Sequence, residues 1–128
     1  MSKDAEMRKP ILEQFDAYGN RVDTIHTTEG WKYFKKQAAI ERLISLPYEL
    51  EGEKDMKNKS LNRLHQVIKL YLFNPSSGMF SCPLAMTDGA AFTLREMRRQ
   101  RVKYWNVELE LAFASLVSND PDKFWTSG

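Results

Sequence analysis

The stretch from Phe80 to Ala91 constrains this chain more than any other part of it. Pro83 reads as the first position of a helix, where its missing N–H is no loss, with Ser81 or Cys82 just ahead of it. Small residues then recur at Ala85, Gly89, Ala90 and Ala91, interleaved with Leu84, Met86 and Phe92. A helix built this way lets another body approach its backbone closely. Two bodies fit: a second helix in a tight crossing, or a flat apolar ligand. Gly89 sharpens the point, because glycine inside a helix costs roughly 1 kcal/mol relative to alanine and is expected to serve packing or a ligand.

The rest of the chain reads as helices with one exception. From Ile11 to Ile25, apolar residues flank the turn chemistry of Gly19 and Asn20, which favours a short hairpin. Thr27 or Thr28 then offers an N-cap, with Glu29 in the first turn. The first helix carries Trp31, Phe34, Ala38, Ile40, Leu43 and Ile44 on one face and is expected to stop at Leu46-Pro47. A polar loop follows to about Lys59. A second helix, from Asn58 or Ser60 to Phe73, is expected to bury a stripe of Leu61, Leu64, His65, Ile68, Tyr71 and Leu72. After a turn at Asn74 to Gly78, the third helix runs from Pro83 to about Arg98. A fourth spans Asn106 to Val117, and Asn119 to Pro121 stops it.

Composition removes several classes. The 128 residues suffice for one domain with its own core. A net charge of +2 is too small to argue for nucleic acid. The single cysteine excludes an internal disulfide and a cysteine-based zinc site, and the two histidines, His26 and His65, lack metal-type spacing. No apolar run approaches the ~20 residues needed to cross a bilayer. The first nine residues have no secretory core, so an intracellular setting, cytoplasmic or mitochondrial, is expected.

Four blocks occur in order: Lys9 to Asp23, the helix around Trp31, Cys82-Pro83 through Met86-Thr87, and Asp120 to Gly128. Together they resemble the N-terminal helical domain of the acyl-CoA dehydrogenase superfamily, in the branch that includes the bacterial alkylation-response protein AidB and its animal relatives. The resemblance implies an all-α fold, a small bundle of about four helices with a short N-terminal β-hairpin. Residues 1–26 would be the lead-in and 27–128 the helical domain. The family's flavin-gripping β-barrel and the C-terminal helical domain with its catalytic glutamate are expected to be absent from this chain. The intact protein would then be an FAD-dependent oxidoreductase acting on the CH–CH group of acyl-CoA thioesters, and a homo-oligomer. This chain alone would be inactive and carry no FAD, no catalytic residue and no metal ligand. Part of its apolar surface would be left uncovered, including Met86, Phe92, Leu109, Phe113 and Leu116.

The resemblance also assigns the acyl-facing residues: Met86, Thr87 and Ala90. Met86 and Ala90 are four apart and share a helix face. An alanine at position 90 would leave the acyl tunnel open to longer chains. Other candidates read more blandly. Cys82 has no base partner in view and is expected to be a buried structural thiol. His65 is expected in the core, Asp88 as a charge in the helix's first turns, and Trp31, Trp105 and Trp125 as packing residues. The basic run from Arg95 to Lys103, followed by Tyr104 and Trp105, could suit nucleic acid, but a solvated helix end accounts for it better. A non-catalytic lipid- or protein-binding module remains the alternative to an enzyme fragment.

Overall fold

The structure, a computed structural model, describes residue 3 and residues 7–49 and 56–127. The chain opens with an antiparallel hairpin of β1 (Ile11–Phe15) and β2 (Arg21–His26). Asp16 organises its turn: one carboxylate oxygen accepts from the backbone N–H of Tyr18 and Asn20, the other from the Asn20 amide. Gly19 supplies the left-handed backbone that the turn needs, at φ +83°. The register shifts between Glu13 and Phe15 because β2 carries one extra residue there. Asp23, at φ 48°, lies in that bulge. Both strands are exposed on both faces, so the hairpin projects from the body.

Helix α1 (Glu29–Ile40) starts at Thr28, whose hydroxyl oxygen accepts from the Trp31 N–H at 3.1 Å. It stops six residues before the expected Leu46-Pro47. The N–H of Leu43 bonds the carbonyl of Ala38, and that of Arg42 bonds Ala39, with Arg42 in the left-handed region at φ 57°. This is a Schellman termination, and Leu43 beyond it drops into the core. The cause was hidden because the left-handed residue is arginine rather than glycine. Helix α3 (Ser81–Arg99) ends the same way on Arg101, at φ 51°. It begins two residues before Pro83, which still lies among the first four positions whose N–H groups need no helical partner. Helix α4 (Val107–Leu116) is capped by Asn106, which accepts from the Leu109 N–H at 2.9 Å.

Helix α2 (Met56–Phe73) corrects the sequence reading most sharply. The expected core stripe faces outward: Leu61, Leu64, Ile68, Tyr71 and Leu72 are 48–77% exposed, and His65 is exposed with them. The inward face is polar. Asn62, Gln66 and Lys69 donate to the carbonyls of Leu46, Leu43 and Glu41. These acceptors are left without helical partners where α1 ends early, and three polar residues at helical spacing meet them. The polar loop expected between Pro47 and Lys59 begins as a 3₁₀ turn (Leu46–Tyr48) with Leu46 and Tyr48 buried. Its acidic centre lies outside the described residues.

The core lies among α1, α3, α4 and the turn after α1. Phe34, Ala38, Leu43, Phe80, Leu84 and Phe113 are at its heart. Among the described side chains of α2, only Leu70 and Phe73 reach it. The closing block folds back on this core: Phe124 is buried, and the Trp125 N–H bonds the Ser115 carbonyl at 3.1 Å.

A partly buried polar knot ties the turn, α2 and α3 together. The Tyr48 hydroxyl donates to an Asp88 carboxylate oxygen at 2.9 Å, and Arg63 pairs with the other at 2.7 Å. Gln66 links both partners. Burial first, and the Asp88 charge second, push the Tyr48 phenol up from 10.0 to about 12. A folded-state pKa raised in this way means full stabilisation below about pH 10, lost as pH rises through about 12. The shift corresponds to roughly 3 kcal/mol. Urea midpoints between pH 9 and 12 should therefore fall steeply in the native chain and less steeply in Tyr48→Phe. Parallel profiles would show that the phenol does not carry the alkaline limb.

Candidate functional site

Helix α3 presents three different sides, set by its 3.6-residue period. Leu84, Thr87 and Ala91 face the core and are fully buried. The opposite side is open and made of small residues with one methionine: Cys82, Ala85, Met86, Gly89 and Thr93 are exposed. Ala90 stands on the border, partly buried against the core cluster. The three residues assigned from sequence therefore occupy three different settings.

Thr87 holds the chain's own backbone. Its hydroxyl donates to the Pro83 carbonyl at 2.6 Å and accepts from the Ser127 N–H at 2.9 Å. Met86 is 49% exposed and stands on the open side. Cys82, expected to be a buried thiol, is exposed there too. The signal that finds the fuller open face was present in the sequence: positions 82, 85, 89 and 93 carry small side chains at helical spacing.

Gly89 gives this face its physical meaning. Beyond its own helix backbone, a Cβ built on it meets no atom of the described residues within 4 Å. The tight crossing that the glycine suggested is not made by any described part of this chain, so its helix cost is not recovered in this chain's own packing. Gly89→Ala should stabilise the 128-residue chain by about 0.5–1 kcal/mol, read from urea unfolding. A loss of stability instead would show that the open face is packed in solution.

The remaining candidates resolve into structure. Asp88 is the eighth residue of α3 rather than a first-turn charge, and it anchors the polar knot. The basic run is largely answered within the fold. Arg95 and Arg99 pair with Glu96, Arg98 pairs with Glu110, and the Arg95 and Arg98 guanidiniums lie over the Phe92 and Phe113 rings. Phe113 and Leu116, expected to be uncovered, are core residues, whereas Phe92 is half-exposed. Trp31 and Trp105 pack at the core's edge, while Trp125 is exposed. Among the described residues no cluster of His, Cys, Asp or Glu could hold a metal ion, and no helix is long and apolar enough to cross a membrane.

Helices packed around one core, a projecting two-stranded hairpin and a helix face left open to its surroundings make a mostly helical domain. Its likeness to a solved acyl-CoA dehydrogenase family protein makes it one of the acyl-CoA dehydrogenase N-terminal type. The fold matches the crystal structure of Caenorhabditis elegans ACDH-11 in complex with C11-CoA at a TM-score of 0.82. The match has 40% identity and covers 98% of this chain and 20% of that one. Bd2924 in its apo form matches at a TM-score of 0.75 and 38% identity, over 98% of this chain and 22% of that one. The chain belongs to the family of the adaptive response protein AidB N-terminal domain, which it matches over residues 1–112. It is also 41% identical over 128 residues to acyl-CoA dehydrogenase family member 11 of Caenorhabditis elegans, covering all of this chain and 19% of that protein. The chain thus spans about a fifth of the length of these relatives.

Proposed function

We propose that this chain forms a wall of the acyl-binding site in a flavin-dependent acyl-CoA dehydrogenase-like protein. The observation that carries the reading is the open face of α3, where Gly89 sits beside Met86 with none of the other described residues against it. An acyl chain is the ligand this surface suits. The face is apolar or small at every position except the Thr93 hydroxyl, and that group donates back to the Gly89 carbonyl at 2.9 Å. It therefore offers contact without hydrogen-bonding demands, as methylene groups require.

In this reading Met86 and Ala90 touch the acyl chain, while Thr87 positions them by fixing α3 to the closing segment. The open face lacks the charged donors that a pyrophosphate or a flavin ring needs, so FAD would be held by other segments of a family protein. Bound there, FAD would supply the acceptor for the hydride that leaves the acyl β-carbon, while a base outside the open face would take the α-proton. The outward stripe of α2 also suits a domain that works against further protein, since such an exposed apolar face is unusual on a monomer. The 128-residue chain alone is expected to bind no flavin.

Cys82 supplies a test, since it stands on the same side of α3 as Met86 and Gly89. In a full-length family member carrying this helix, a saturating long-chain acyl-CoA should slow alkylation of Cys82 severalfold, whereas free coenzyme A should not. Equal rates with and without the acyl group would remove α3 from the acyl site.

A further inference from the structure

The outward face of α2 has the make-up of a helix–helix contact. Leu61, Leu64, Val67, Ile68, Tyr71 and Leu72 fall within an arc of about 140° and along about 16 Å of the helix. All six are exposed. Between Leu61 and Leu72 no Asp, Glu, Lys or Arg interrupts that arc. The described cations beside it point elsewhere and are paired, Arg63 with Asp88 and Lys69 with Glu41. Leu61, Leu64, Ile68 and Tyr71 repeat at spacings of three, four and three, the seam spacing of two helices packed side by side. The opposite face is bonded to the carbonyls of Leu46, Leu43 and Glu41, so α2 cannot roll over to bury the stripe in its own core.

We infer that this face is the contact between two copies of the chain, which pack α2 against α2 about a two-fold axis. Area is the first reason. Six side chains that are about half exposed or more leave roughly 600 Å² of apolar surface per copy, so two copies would bury roughly 1,200 Å², the lower end of specific interfaces. The association is accordingly weak. Self-complementarity is the second reason. A two-fold contact sets a patch against itself, which a face of single-signed charge resists and an uncharged apolar face allows. A bilayer suits the stripe less well. Helices that lie among lipid headgroups carry cations on the polar face that reach the lipid, whereas Arg63 and Lys69 are engaged by carboxylates of the fold. The inference does not depend on the acyl-wall reading of α3.

Sedimentation velocity of the 128-residue chain tests it, from about 5 μM to about 500 μM, with a reductant present so that the exposed Cys82 cannot bridge copies. The 14.9 kDa chain should pass from monomer to a species of twice that mass and no larger. Leu64→Lys and Tyr71→Lys, both at exposed positions, set like charges against each other across the axis. Each should weaken association about tenfold or more. Leu111→Lys, on α4 and comparably exposed, should leave it unchanged. Circular dichroism confirms that each variant is folded. Four results would overturn the inference. They are a monomer at every concentration, species that keep growing past the dimer, association that survives both α2 substitutions, and equal weakening by Leu111→Lys.

Discussion

Phe80→Ala should cost the chain about 3–5 kcal/mol, the largest single loss expected from any side chain here. Phe80 is fully buried and sits where the 3₁₀ turn before α3 meets α1. Trp31 packs edge-on against it and Phe34 lies 6.4 Å away between ring centroids. Removing the ring leaves a cavity bounded by two helices whose backbones are fixed at that point, so collapse to fill it is limited. Domains of this size are stable by about 5–15 kcal/mol in total, and the variant should lie close to its unfolding midpoint without denaturant. Phe80→Leu keeps most of the apolar volume and loses the aromatic edge contact, so about 1–2 kcal/mol is expected. Urea unfolding followed by far-UV circular dichroism separates these values. An Ala variant within 1 kcal/mol of the native chain would show that α1 and α3 do not pack through Phe80.

The same region shows how far the sequence could be read. The hairpin, the cap at Thr28 and the approximate bounds of the last helix followed from turn, capping and stop signals, which act over three or four residues and are written locally, whereas the Asn106 cap emerged only in the structure. What local reasoning could not supply was the identity of the neighbour. The apolar stripe of α2 suggested a buried face, since amphipathic helices ordinarily bury their apolar side. Here Asn62, Gln66 and Lys69 repeat with a helical period of their own, and the carbonyls left free by the early end of α1 decide which face turns inward. That early end was itself illegible, because Arg42 takes a left-handed conformation that the sequence usually marks with glycine. The exposed His65 follows from the same reversal, since it stands on the outward side of α2. For the candidate site, helical spacing put Met86 and Ala90 together, but it could not tell that Thr87 would turn inward to hold Ser127.

In a full-length family member carrying this helix, Ala90→Glu should shorten the preferred acyl chain. Ala90 borders the open face of α3 one turn beyond Met86, so a longer side chain there projects along the surface proposed to meet the acyl group. A glutamate would bring a carboxylate into a place where a long chain must bury against it. Desolvating that group without a partner costs several kcal/mol, or forces it to take up a proton. For acyl chains long enough to pass position 90, a loss of about a hundredfold in kcat/KM is expected, which corresponds to about 2.7 kcal/mol. Chains that end before it should keep rates close to native. Because Ala90 also touches the core, the variant's thermal stability must be measured beside its kinetics. Any general loss from misfolding would lower every substrate alike, so the informative quantity is the ratio between long and short chains. A ladder of acyl-CoA lengths assayed in both proteins gives that ratio. A uniform fall at every length would assign Ala90 to packing alone and place the acyl chain elsewhere.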